Sequence, residues 1–114
     1  VTSVTGLPEG SGVCGAPIFA MHIHEGASCA ENGSEPFPFT GMHYNPGNCA
    51  HPEHAGDLPP LFGCQGMAMG AVLTDRFTVS DVIGKTVVIH ERADDFKTQP
   101  SGDSGAKIAC GVIQ

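Results

Sequence analysis

Positive charge is scarce in this chain. Lys and Arg total 5 against 12 Asp and Glu, a formal net charge of −7. That balance opposes nucleic acid and anionic lipid as partners, because phosphate recognition needs a basic face. Long apolar runs are also missing. None approaches the ~20 residues of a membrane-spanning helix. No apolar stripe of 3.6-residue period has useful length, and 16 Gly and 9 Pro disfavour helices. There is no phosphate loop of the G-x-x-x-x-G-K-[ST] kind, no internal repeat and no CxxC pair, the usual mark of a thiolate zinc site. At 114 residues the chain is expected to form one domain, residues 1–114.

Short β-rich runs are present instead: "VTSVTGL", "PIFAMHI", "MAMGAVL", "RFTVSDVI", "KTVVIHE" and "KIACGVI". Gly- and Pro-rich connections separate them, which predicts an all-β sandwich or barrel. Five cysteines, Cys14, Cys29, Cys49, Cys64 and Cys110, point to disulfides and an oxidising compartment. The expected location is therefore secreted or cell-envelope. No leader is visible at Val1, so an exported chain would here be in processed form. Cys49 and Cys64 flank a histidine-rich loop, and their spacing predicts a second disulfide around it. Cys14 would then be unpaired, or could take either partner.

The histidines are unevenly placed. His22 and His24, in "MHIH", are two apart in a β-like run and so share one strand face. His90 follows the apolar run "TVVI" at a strand end, a position more often held by a plain core or rim histidine. The segment "GMHYNPGNCAHPEHAGD" gathers His43, His51, His54 and Asp57 among loop-forming residues. Three imidazoles and a carboxylate suit a tetrahedral Zn²⁺ site.

In order, "FAMHIHEGASC", "GMHYNP…HPEHAGDLPP", "GKTVVIHERADDF" and "GDSGAKIACGVI" resemble copper/zinc superoxide dismutases, most closely the secreted bacterial branch. The resemblance spans nearly the whole chain. It implies copper ligands at His22, His24, His43 and His90, and zinc ligands at His43, His51, His54 and Asp57, with His43 shared as a bridge. It implies that Asp94 is a carboxylate linking ligands of the two metals and that Cys29 and Cys110 form a disulfide. The implied fold is a Greek-key β-barrel of eight strands. The implied activity is dismutation of superoxide to O₂ and H₂O₂ by alternate reduction and reoxidation of the copper. The alternative is a non-catalytic copper- or zinc-binding module on the same scaffold.

Three departures from the family pattern stand out. Lys107 occupies the position of the family's active-site arginine, replacing a planar fork with a compact, mobile charge. Activity is expected to be reduced by this, yet Lys107 would still attract superoxide. Only Pro52 and Glu53 separate His51 from His54, so that loop must turn tightly. Finally, "TSVTGLPEG" matches the end of the family's third strand, so about two and a half strands are missing from these residues. Open sheet edges then predict self-association. "TQPSGDSG" is expected to form the loop over copper, with Lys97 a solvated charge. Glu25, Glu91 and Asp95 read as solvated strand-end carboxylates.

Overall fold

The computed structural model describes residues 1–114. It has six strands: β1 (Thr2–Val4), β2 (Ile18–His24), β3 (Asp57–Phe62), β4 (Ala68–Gly70), β5 (Thr86–His90) and β6 (Lys107–Val112). All pairings are antiparallel. One sheet has the order β3-β2-β5-β6, and β1 pairs with β4 in a second. Helix is confined to a single α-turn, α1 (Val79–Val82), and a 3₁₀ turn at Pro38–Thr40.

The alternation of β2 decides what each face of the larger sheet does. Phe19 and Met21 point inward and pack with Leu7, Leu61, Ala68 and Ile89 in the core. His22 and His24 point the other way. In register with them on β5 are Val88 and Thr86, both fully buried. His90 ends the same row. The outer face of the sheet therefore carries the imidazoles, and the long connections after β2 and β5 fold over it.

Two elements depart from the sequence reading. "RFTVSDVI" was expected to be extended, but contributes α1. The Thr78 N–H donates to Asp81 Oδ2 at 2.8 Å, which caps the turn, and Gly84 at φ 84° ends it. Conversely, "DLPPLF" forms β3 despite two prolines. β3 is an edge strand, and Pro59 and Pro60 lie where its register with β2 slips, between the pairs Phe19–Leu61 and Met21–Leu58. A missing N–H is tolerated at such a bulge.

The Cys29–Cys110 disulfide is formed, tying the connection after β2 to β6 across a separation of 81 residues. The expected Cys49–Cys64 disulfide is not: both thiols are free and exposed, as is that of Cys14. The reason is the length of β3. Cys49 lies in the loop before it and Cys64 beyond its far end, so a strand of roughly 20 Å intervenes. β1 and β6 each end a sheet. A groove of about 210 Å³ lies between them, lined by Val4, Val87, Ile89 and Ala109.

Candidate metal centre

Four local devices deliver the six histidines. β2 supplies His22 and His24, and the end of β5 supplies His90. His43 is drawn beside His24 by two backbone hydrogen bonds, Glu25 N–H to Met42 O and Tyr44 N–H to Ile23 O, each close to 2.9 Å or shorter. His51 and His54 come from the tight turn before β3. The His54 N–H donates to Asp57 Oδ2 at 3.0 Å, and the Asp57 N–H to His54 O at 3.0 Å. All six histidines are buried.

The rings converge. His22 stacks on His43 at 4.0 Å between centroids, and His24 and His54 sit 4.9 and 5.1 Å from His43. Two overlapping groups have donor atoms within 4.8 Å of one another: His22, His24, His43 and His90, and His22, His43, His51 and Asp57. His54 joins the second group. Its Nδ1 is 3.1 Å from both His43 Nδ1 and Asp57 Oδ2.

Hydrogen bonding separates the nitrogens into held and free. His22 Nε2 meets Asp94 Oδ2 at 2.7 Å, His24 Nδ1 meets Gly41 O at 2.8 Å, and His90 Nδ1 meets Gly105 O at 3.1 Å. The opposite nitrogens, His22 Nδ1, His24 Nε2 and His90 Nε2, are buried without partners, together with His43 Nε2. Buried polar atoms are rarely left so, and four on neighbouring rings are the signature of a donor set built for a cation. A second set faces the other side of His43. His51 Nδ1 lies 3.0 Å from Asp57 Oδ2 without hydrogen-bond alignment, while His51 Nε2 is held by Asp94 Oδ1 at 2.8 Å. His43 Nδ1 is 2.9 Å from Asp57 Oδ1. The residues thus fit two metal ions sharing His43.

Asp94 joins the two sets, since one oxygen holds His22 and the other His51. Burial alone would raise its pKa, but hydrogen bonds from His22, His51 and the Phe96 N–H hold it below the usual carboxylate range. Replacing Asp94 with alanine should weaken metal binding about 10- to 100-fold, read as loss of both ions to a chelator in competition. Loss of only one ion would contradict the linking role. Gly102, at φ 76°, packs against this carboxylate, where any Cβ would overlap Asp94 Oδ1 and His51 Nε2.

Two side chains that the sequence reading passed over grip the His51–His54 turn. Gln99 accepts from the His51 N–H at 2.9 Å and donates to His51 O at 2.7 Å. Arg76 donates to Pro52 O and His54 O at 2.9 and 3.2 Å. Neither has a local sequence signal, because each acts across more than 20 residues on backbone atoms alone.

Burial pushes the imidazoles of the first set towards the neutral, metal-binding form: His22 is lowered to about 4 and His24 to about 3, and His90 is lowered as well, with charge on His43 adding to the effect of burial. A depressed histidine pKa makes the folded state refuse protons that the unfolded chain accepts below 6.5. The metal-free protein should therefore hold its stability above that pH and lose it steadily below, by about 2 kcal/mol at pH 5 for His22 alone. Asp57 and Asp94, both lowered, add losses at lower pH still. Urea midpoints of chelated protein would check this, and a flat midpoint between pH 7 and 4.5 would contradict it.

A pocket of about 550 Å³ opens over the first set, lined among others by His24, His43, His90, Pro100, Ser101 and Lys107. Its wall includes part of "TQPSGDSG", as expected of the loop over the site. Lys107 is held by two hydrogen bonds. Its ammonium donates to Thr40 Oγ1 at 2.7 Å and to Phe37 O at 3.2 Å.

A buried histidine cluster with two donor sets sharing one ring, on the outer face of an antiparallel β-sandwich, defines a dinuclear metalloprotein. The family model for copper/zinc superoxide dismutase matches residues 2–113, and the chain belongs to that family. It is 34% identical to the Cu-Zn superoxide dismutase of Deinococcus radiodurans, over 93% of this chain and 68% of that protein. It is 38% identical to a superoxide dismutase-like protein of Bacillus subtilis, over 82% of this chain and 54% of that one. The Cu/Zn superoxide dismutase from Brucella abortus superposes with a TM-score of 0.78 at 29% identity, covering 98% of this chain and 77% of that structure. The chain thus spans between about half and two thirds of the length of these curated relatives. The fold is the family's Greek-key sandwich in a short form, with six strands.

Proposed function

We propose that the chain is a copper- and zinc-dependent superoxide dismutase, with copper held by His22, His24, His43 and His90, and zinc by His43, His51, His54 and Asp57. The observation that carries the reading is the ring of unpartnered imidazole nitrogens around His43, open to a pocket with a fixed cation at its wall. Family membership supports the choice of metals. Copper bound there would supply a one-electron couple that takes an electron from one superoxide and returns one to a second, while zinc would add charge without redox change.

The chain's own residues supply the rest. Lys107 attracts the anion into a pocket that the net charge of −7 would otherwise disfavour. His43 keeps Nδ1 against Asp57 and His54, so Nε2 can take up a proton and pass it to the product peroxide. Asp94 holds His22 and His51 in one tautomer each, leaving Nδ1 of both for metal. Two superoxide ions and two protons give one O₂ and one H₂O₂.

The disulfide supports an oxidising, extracytoplasmic location. Residues 1–114 act as one domain, and the free edges of β1 and β6 favour self-association. Loading with copper and zinc followed by a superoxide-consumption assay tests the reading. Cyanide-sensitive turnover is the expected result. Tight binding of both metals without turnover would instead make the chain a non-catalytic metal-binding module.

A further inference from the structure

The Lys107 side chain leaves the start of β6 and crosses to the segment just ahead of His43. Its ammonium donates to Thr40 Oγ1 at 2.7 Å and to Phe37 O at 3.2 Å. The Thr40 hydroxyl in turn donates to Phe37 O at 3.0 Å. The hydroxyl hydrogen is thereby committed, and its lone pairs are left for the lysine. Thr40 is completely buried. Its carbonyl accepts from the Gly26 N–H at 2.7 Å, and a Cβ at Gly26 would overlap the Phe39 and Thr40 backbone, so the two segments touch main chain to main chain. Thr40 therefore has almost no freedom to move.

We propose that Thr40 is a positioning residue that makes Lys107 a fixed anion-binding group. Together with Phe37 O it occupies two of the ammonium's three N–H bonds, and the third is left for the pocket shared with His24, His43 and His90. A guanidinium carries its own planar fork. A lysine has none, and the threonine hydroxyl supplies the missing orientation. The inference rests on the reading that this pocket receives a small anion.

The test uses the copper- and zinc-loaded protein with azide as the probe, followed by visible absorption, alongside superoxide turnover. Thr40→Val keeps the shape and removes the acceptor. It should raise the azide Kd about threefold to tenfold, as expected for a lost charge-assisted contact, and lower kcat/KM by a similar factor with metal content unchanged. Thr40→Ser, which keeps the hydroxyl, should stay near the parent protein. In the Lys107→Met background, Thr40→Val should cause no further loss, since there is no ammonium left to aim. An unchanged azide Kd in Thr40→Val would overturn the proposal. So would equal losses in Thr40→Ser, multiplying losses in the double variant, or a parent protein that binds no azide. A parent protein that binds azide but does not turn over superoxide would defeat the proposed function alone, and the azide comparison would still decide the role of Thr40.

Discussion

Replacing His43 with alanine should reduce superoxide turnover by roughly 10²- to 10⁴-fold, the range of a lost general acid–base group. This ring is the one imidazole placed to serve both donor sets from opposite nitrogens. It stacks on His22, lies beside His24, and offers one nitrogen to each donor set. Its removal should also release zinc, because Asp57 Oδ1 and His54 Nδ1 lose the atom they converge on. Copper should be retained more readily, since His22, His24 and His90 each have a second nitrogen held in place. Metal analysis and turnover on one sample would check both parts. A His43→Ala protein that keeps its zinc and its activity would show that the ring is a bystander.

Loss of the Cys29–Cys110 disulfide should have the largest effect on stability. With the bridge across a separation of 81 residues, the chain-entropy model assigns it about 4.5 kcal/mol. That is a large fraction of the 5–15 kcal/mol typical of a whole domain. The short sandwich, with an edge strand at both ends of each sheet and only six residues in its main buried apolar cluster, has little to offset it. A Cys29→Ser, Cys110→Ser double variant should therefore be largely unfolded or strongly destabilised without metal, as judged by near-ultraviolet circular dichroism and urea midpoint. Bound metals should restore part of the loss by mass action. A metal-free double variant with the parent midpoint would contradict this.

Much of the site was legible because strand periodicity is local. His22 and His24, two apart, had to share a face, and His90 ended an apolar run. The family resemblance placed the Cys29–Cys110 bridge, which is formed, and pointed to Asp94, which lies between His22 and His51. What was illegible depended on contacts between distant loops. Gln99 reaches His51 across 48 residues, and Lys107 reaches Thr40 across 67. The error over Cys49 and Cys64 came from the same source. Spacing along the chain gave a loop of convenient size, but β3 runs out between them. β3 was not among the β-rich runs, since its prolines are admitted only by an edge position and a bulge that the sequence does not display. In α1, a Thr–Asp cap outweighed β-branched residues.

The shared histidine is the central feature of the proposed site, and magnetic coupling tests it most directly. With cobalt(II) loaded into the His51–His54–Asp57 set and copper(II) into the other, a bridging His43 would couple the two paramagnetic ions. The Cu(II) electron paramagnetic resonance signal should then be lost when both ions are present and reappear when cobalt is replaced by zinc. A copper signal of full intensity beside stoichiometric cobalt would mean that the two sets do not share His43.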